Sequence, residues 1–122
     1  MTLSTGPSLN FFGAHMFAWS GQESLTAGGT TLLDFISPNR FYTVVTNVSF
    51  DYSSCLAGDV LSWTLQGNEE ALHVSKFIII NAGLGPQFPN LYYTIPPNTG
   101  MQVEAEGPSG LMTVVMEGKQ VS

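Results

Sequence analysis

The chain has a single cysteine and no long hydrophobic run. Cys55 is the only cysteine, so no disulfide can form within the chain. The longest run of large apolar residues, Phe77–Ile80, has the length of a strand, whereas a helix needs about 20 apolar residues to cross a bilayer. Residues 1–7 lack the basic stretch and apolar segment of a secretory signal. We therefore expect a protein that is made in a reducing cytoplasm and does not enter a membrane.

Positive charge is scarce as well. Three basic residues, Arg40, Lys76 and Lys119, stand against nine acidic ones, which gives a formal net charge of −6. If all three basic side chains neutralised phosphates, the logarithm of affinity would fall with the logarithm of salt concentration with a slope of only about −2.7. Such binding is close to negligible at physiological salt. We therefore expect no nucleic-acid partner.

Charged residues of both signs together make up only 10% of the chain, while hydrophobic residues reach 43%. A freely soluble domain usually carries about 25% charged residues. Burying charge at an interface is costly, so a surface poor in charge suits a protein whose faces are occupied by copies of itself or by a larger assembly.

Short apolar runs alternate with turn residues at intervals of about ten residues after Gly28 and Gly29, which is the pattern of a β-sandwich or barrel. A β-bulge or a strand break is expected near Ser75 and Lys76, where the alternation slips by one, and a loop is expected over Gly83–Asn90. In the long strand, Tyr42, Val44, Thr46, Val48, Phe50 and Tyr52 are expected to share one face. The predicted strands are Thr30–Ile36, Arg40–Tyr52, Asp59–Gln66, Ala71–Asn81 and Leu91–Ile95, followed by two more at the end of the chain.

The last two strands are mirrored about Gly107–Gly110 and predict a hairpin. Folding the chain back at this turn sets Met101 opposite Met116, Val103 opposite Val114 and Ala105 opposite Met112, so one face is wholly apolar. Strands of this kind must cover a core shared with a second sheet. We predict an all-β protein, an antiparallel β-sandwich of seven or eight strands over residues 30–122. Long connections at 52–58 and 82–90, with no cysteine pair, favour a jelly roll over an immunoglobulin-like sandwich.

Residues 1–29 differ from the rest, because they combine six glycine or proline residues with a strongly apolar stretch. Gly13 interrupts the helical spacing within this stretch, so an extended arm or first strand is expected rather than a helix. The arm either packs on the sandwich or contacts a neighbouring subunit through its aromatic residues, each of which can bury about 150–250 Å². The candidate partner-binding residues are Phe11, Phe12, Met16, Phe17 and Trp19.

Catalytic patterns are weak in this sequence. His15 and His73 are the only candidate bases; we interpret His15 as an ordinary contact residue and His73 as a strand residue that faces solvent. Glu104 and Glu106 share one face of a strand, where acids usually serve solubility rather than glycoside hydrolysis. We expect no enzyme activity, no metal and no cofactor. Sugar binding stays open through Tyr92, Tyr93 and Trp19, while Trp63 is expected in the core.

Residues 30–121 resemble the small jelly-roll decoration, or cement, proteins on the heads of tailed bacteriophages. Three segments carry the resemblance: Leu32–Pro38, the alternating strand Phe41–Phe50, and Ile95–Gly107. The resemblance implies a non-enzymatic virion protein that binds the outside of a capsid at symmetry axes, contacts the major capsid protein and bridges coat subunits, as a homo-oligomer, with a trimer favoured. The location implied is the capsid surface, after synthesis in the host cytoplasm. The alternatives are a carbohydrate-binding β-sandwich module and a small tail or spike component.

Overall fold

The structure, a computed structural model, describes residues 8–12, 14–53, 58–79, 83–108 and 110–121. Antiparallel strands form the regular structure of these residues, and none of them lies in a helix. The strands are β1 (Ser8–Phe12), β2 (His15–Trp19), β3 (Glu23–Ser24), β4 (Thr30–Ile36), β5 (Tyr42–Ser53), β6 (Val60–Gly67), β7 (Glu70–Ile78), β8 (Gly83–Ile95), β9 (Gly100–Glu106) and β10 (Leu111–Val121).

The strands form two sheets that pack face to face. The larger sheet has the order β1-β2-β10-β5-β8, with the short β3 also paired to β10, and the smaller sheet has the order β4-β9-β6-β7. When β1 and β3 are left aside, each sheet has four strands. Their orders, β2-β10-β5-β8 and β4-β9-β6-β7, are those of a jelly roll. The predicted antiparallel β-sandwich of the jelly-roll type is therefore confirmed.

The predicted arm supplies strands to the larger sheet. Within residues 1–29, β2 pairs with β10 from His15 opposite Lys119 to Trp19 opposite Val115, and β1 pairs with the other side of β2. An extended conformation is thus found instead of a helix. Because β2 lies between β1 and β10, the sandwich already includes residues before position 30.

A single hydrophobic core lies between the sheets. Leu61, Trp63 and Leu65 of β6 all point into it, as their alternation with Ser62 and Thr64 predicts. The buried members of the core are Met16, Ala18, Leu25, Leu32, Leu33, Val45, Val48, Phe50, Tyr52, Leu61, Trp63, Leu65, Ile79, Ile95, Met101, Val103, Ala105, Met112, Val114 and Met116.

The predicted terminal hairpin is wrong. β9 pairs with β4 and β6, whereas β10 pairs with β2, β3 and β5 in the other sheet. The connection at 107–110 therefore crosses from one sheet to the other. The apolar faces of β9 and β10 were correctly assigned, since Val103 and Val114 are both buried, but they meet across the core. Mirrored alternation fixes which face is buried and does not fix which strand pairs with which.

The alternation along β5 is broken by a bulge. Asn47 pairs with Glu117 and Val45 pairs with Gly118, so Thr46 has no opposite residue. Residues before the bulge are thereby shifted by one, and Thr43 and Val45 are buried while Tyr42 is exposed. The prediction that Tyr42, Val44 and Thr46 share the face of Phe50 is therefore wrong.

The alternation along β7 also differs from the prediction. His73, Ser75 and Phe77 lie on the inner side of the strand and are half-buried, while Val74 and Ile78 face outward. No register shift occurs near Ser75 and Lys76; the irregularity lies opposite the start of the strand, between Leu65 and Gln66. The apolar outward residues misled the sequence pattern, because buried and exposed apolar residues look alike in a sequence.

The predicted loop over Gly83–Asn90 is part of β8. Its backbone pairs with β5, with Gly83 opposite Tyr52 and Pro89 opposite Asn47, across two register shifts. β8 is an edge strand, and an edge strand tolerates proline because one side of its backbone needs no partner. The two prolines that suggested a loop, Pro86 and Pro89, therefore fit within a strand.

Candidate interaction surfaces

The candidate partner-binding residues fall into three structural groups. Phe11 and Phe12 belong to β1, where they pair with Met16 and His15, and their side chains lie outside the described part of the chain. Met16 is 0% exposed and belongs to the core. Its assignment to a contact surface is therefore wrong: residues of a strand alternate between faces, and Met16 lies on the inner one.

Phe17 and Trp19 lie on the outer face of the larger sheet. They are separated by two positions on β2 and therefore share a face, and both are half-buried. On β10 their opposite residues are Glu117 and Val115. We call Phe17, Trp19 and Val115 the aromatic patch. A large ring that is only half-buried leaves part of its area available to another molecule.

The outer face of the smaller sheet is polar at its centre. Ser62, Thr64 and Gln66 of β6 lie beside Glu106, Glu104 and Gln102 of β9 in register. Thr31 on β4 donates a hydrogen bond to Glu104 Oε1 at 3.4 Å. The prediction that Glu104 and Glu106 share an outward face is confirmed, since the residues between and before them point into the core. The centre of this face therefore carries no aromatic side chain, whereas Phe17 and Trp19 lie on the outer face of the larger sheet.

An apolar stripe runs along the edge of the smaller sheet. Val74 and Ile78 of β7 are 60% and 62% exposed, and Val60 of β6 is exposed beside them. Val60 pairs with Ile78, so the stripe is continuous from β6 to β7 at this end. We call Val60, Val74 and Ile78 the edge stripe. The sequence pattern does not show this stripe, because buried and exposed apolar residues look alike in a sequence.

His73 is enclosed by aromatic rings rather than exposed to solvent. Its ring lies 4.8 Å from the ring of Trp63 and 6.2 Å from that of Phe88, measured between centroids. Its Nδ1 lies 2.9 Å from the hydroxyl oxygen of Tyr93. The solvent-facing interpretation is therefore wrong, because β7 begins its inward alternation at His73. Trp63 is 1% exposed, which confirms its expected place in the core.

The surface grooves of the described part of the chain are open and shallow. A groove of about 370 Å³ lies where Val60 and Lys76 face Glu106 and Pro108, and one of about 280 Å³ lies near Thr94. Among the described residues, no three His, Cys, Asp or Glu side chains are grouped so as to hold a metal ion. Cys55 lies outside the described residues. His15 is exposed and stands apart from His73, on a different strand.

No helix long and apolar enough to span a membrane is present in the described ranges.

No family model matches this chain, and no curated protein matches it. Among solved structures, it is similar to a chain in the structure of infectious bursal disease virus Gx strain, with a TM-score of 0.35 and 14% sequence identity. The match covers 83% of this chain and 34% of the viral chain, so this chain spans about a third of that neighbour's length. At this level of similarity nothing about activity or partners transfers.

Proposed function

We propose that this protein is a non-enzymatic structural protein of a virion, which binds the outside of a phage capsid and stabilises the expanded shell by bridging coat subunits. The observation that carries the proposal is that two aromatic side chains, Phe17 and Trp19, lie half-buried on one outer face of the sandwich. The larger sheet presents the aromatic patch, whereas the centre of the smaller sheet presents Glu104, Glu106 and uncharged polar side chains.

The aromatic patch is the proposed coat-facing surface. Phe17 and Trp19 are held on β2 between β1 and β10, so their backbone is fixed on both sides. Rigid aromatic anchors are typical of the few residues that carry most of the energy of an interface. The low share of charged residues agrees with this role, because few charges would have to lose water on binding.

Binding alone can stabilise the expanded shell, without any catalysed reaction. A protein that binds the expanded lattice more tightly than the unexpanded one shifts the equilibrium towards expansion, in proportion to its differential affinity. Many copies on one shell add their effects. The capsid-surface location, the major capsid protein as partner and the trimer all come from the resemblance, and they stay predictions.

The proposal is tested by counting the copies of this protein that bind to capsid shells. Expanded heads and unexpanded proheads would be assembled from the major capsid protein encoded in the same genome, and bound copies counted after sedimentation. At about 2 kcal/mol per anchor, the Phe17→Ala, Trp19→Ala double variant should bind about a thousandfold more weakly. Ile36→Ala is the matched control, since it removes an exposed apolar side chain from the outer face of the smaller sheet.

Wild-type protein should occupy expanded heads and leave proheads unoccupied. Full occupancy by a folded double variant would contradict the coat-facing role of the aromatic patch. Equal binding to both shells would contradict the proposed stabilisation, because equal affinity shifts no equilibrium.

Sugar binding is the second candidate, and Tyr92 is the observation that favours it. This ring is 66% exposed on an edge strand, as the stacking platforms of sugar-binding sandwiches are. A glycan array would decide: binding that is lost in Tyr92→Ala supports the sugar-binding module, and an array without any signal removes this support.

A further inference from the structure

A carboxylate lies beside the aromatic patch. Glu117 of β10 is directly opposite Phe17 of β2, and Trp19 is the next residue of β2 on the same face. Met116 and Gly118, on either side of Glu117, are buried, so the Glu117 side chain points outward like the two rings. Directly opposite residues have Cβ atoms about 5 Å apart, and diagonal neighbours lie about 7–8 Å apart. The carboxylate is therefore within reach of both rings.

The Glu117 carboxylate is unpaired within the described part of the chain. No described side chain forms an ion pair or a hydrogen bond with it, and the bond of 3.4 Å from Thr46 Oγ1 goes to the backbone carbonyl of Glu117 instead. Lys119 shares this face two positions along β10, but it lies opposite His15 and does not pair with the carboxylate. Because Glu117 is half-buried, its charge has lost part of its water without gaining a counter-charge.

Two rings beside an unpaired carboxylate suit one kind of ligand. The faces of aromatic rings attract cations. A guanidinium group is flat, so it can stack on a ring while the N–H groups at its edge donate two hydrogen bonds to a carboxylate. The ammonium group of lysine is compact and strongly hydrated, and it has no flat face to stack on a ring. The arrangement therefore favours arginine over lysine.

Charge complementarity indicates where this arginine comes from. The chain has a formal net charge of −6, which attracts a basic site on a partner. Its own single arginine, Arg40, lies in the turn between β4 and β5 and forms no ion pair with any described residue. We propose that the aromatic patch and Glu117 together bind an arginine side chain of the major capsid protein. The guanidinium stacks on Phe17 or Trp19 and donates to the Glu117 carboxylate. This inference rests on the proposed function.

Removing the charge of Glu117 tests the pairing. Glu117→Gln keeps the shape of the side chain, and in the shell assay it should bind expanded heads about tenfold more weakly, because the bound guanidinium loses its counter-charge. Asp34→Asn is the matched control, since it removes one negative charge from the exposed outer face of the smaller sheet and should bind like the wild type. Wild-type affinity of Glu117→Gln would overturn the proposal.

Two further variants test whether the cation belongs to this protein. Arg40→Gln and Lys119→Gln should both bind expanded heads no more weakly than the wild type. If Arg40→Gln lost binding as Glu117→Gln does, the arginine would come from a second copy of this chain. If Lys119→Gln did so, Glu117 would depend on its own neighbour. Either result would overturn the proposal.

Chemical protection identifies the arginine on the coat. Expanded heads, bare or saturated with this protein, would be treated with phenylglyoxal, which modifies arginine, and the coat peptides compared by mass spectrometry. Wild-type protein should protect one coat arginine, which Glu117→Gln at the same occupancy should leave reactive. Changing that arginine to glutamate should weaken binding of the wild type and strengthen binding of Glu117→Lys. A footprint without a protected arginine would contradict the proposal.

These results separate the inference from the proposed function. If the Phe17→Ala, Trp19→Ala double variant loses binding while Glu117→Gln keeps it, the aromatic patch faces the coat but binds no arginine there. If the double variant binds fully, the coat-facing role of the patch is wrong, and the inference fails with it. An absence of wild-type binding to expanded heads would overturn both.

Discussion

Gly118 is the residue whose replacement we expect to damage the fold most for the smallest change. It lies at the bulge of β10 against β5, where the two backbones approach closely. A Cβ added there would lie 3.0 Å from Met16 Cε and 3.1 Å from the carbonyl carbon of Val44, and closer still to the carbonyl oxygen of Val44. The methionine could move, but the Val44 carbonyl belongs to a strand paired on both sides.

The loss of stability in Gly118→Ala depends on which atoms must move to make room for the added Cβ. Overpacking a well-packed site usually costs about 1–3 kcal/mol, and here the backbone of a central strand has to give way, so we expect about 3 kcal/mol. For a domain of this size, that corresponds to a fall in melting temperature of about 10 °C. At Gly107 an added Cβ would meet the side chains of Leu61 and Leu25, which can rearrange. Gly107→Ala should therefore cost less, about 1–2 kcal/mol.

Urea unfolding, followed by circular dichroism, measures both changes. Gly28→Ala is the control, because nothing lies within 4 Å of its added Cβ, and its free energy of unfolding should stay within about 0.5 kcal/mol of the wild type. The urea dependence of unfolding should be unchanged, so that a lower midpoint reports lower stability. A Gly118→Ala protein as stable as Gly28→Ala would refute the close approach of β10 and β5 at this bulge.

Two further predictions concern side-chain hydrogen bonds. Tyr93→Phe removes the hydroxyl that lies 2.9 Å from His73 Nδ1 and should lower the free energy of unfolding by about 1–2 kcal/mol. Tyr92→Phe, at an exposed ring, is the control and should change this free energy little. Equal effects of the two variants would contradict the contact between Tyr93 and His73. The Val114 amide of β10 donates a buried hydrogen bond to Ser20 Oγ at 2.9 Å, so Ser20→Ala should lower the free energy of unfolding by about 2 kcal/mol. Ser24→Ala, at an exposed serine, should leave this free energy unchanged in the same assay.

The candidate surfaces were only partly predictable from the sequence. Phe17 and Trp19 were identified from composition and lie on an outer face, because two aromatic residues two positions apart on one strand must share a face. The sequence predicts the same role for Met16, which instead belongs to the core. The edge stripe was missed, because Val74 and Ile78 are apolar and exposed, and only their neighbours in space show that nothing in the described part of the chain covers them.

Side-chain alternation along the chain was enough to predict a two-sheet β-sandwich and the buried faces of β6, β9 and β10, because strand geometry sends successive side chains to opposite sides. Strand partners depended on the three-dimensional fold. Every strand offers the same backbone hydrogen bonds, so β9 and β10 could equally well have formed a hairpin, yet they lie in different sheets. Position within the sheet also decided that Pro86 and Pro89 fit in a strand, because β8 lies at an edge. The inward direction of His73 depends likewise on where β7 pairs with β6, which no local pattern encodes.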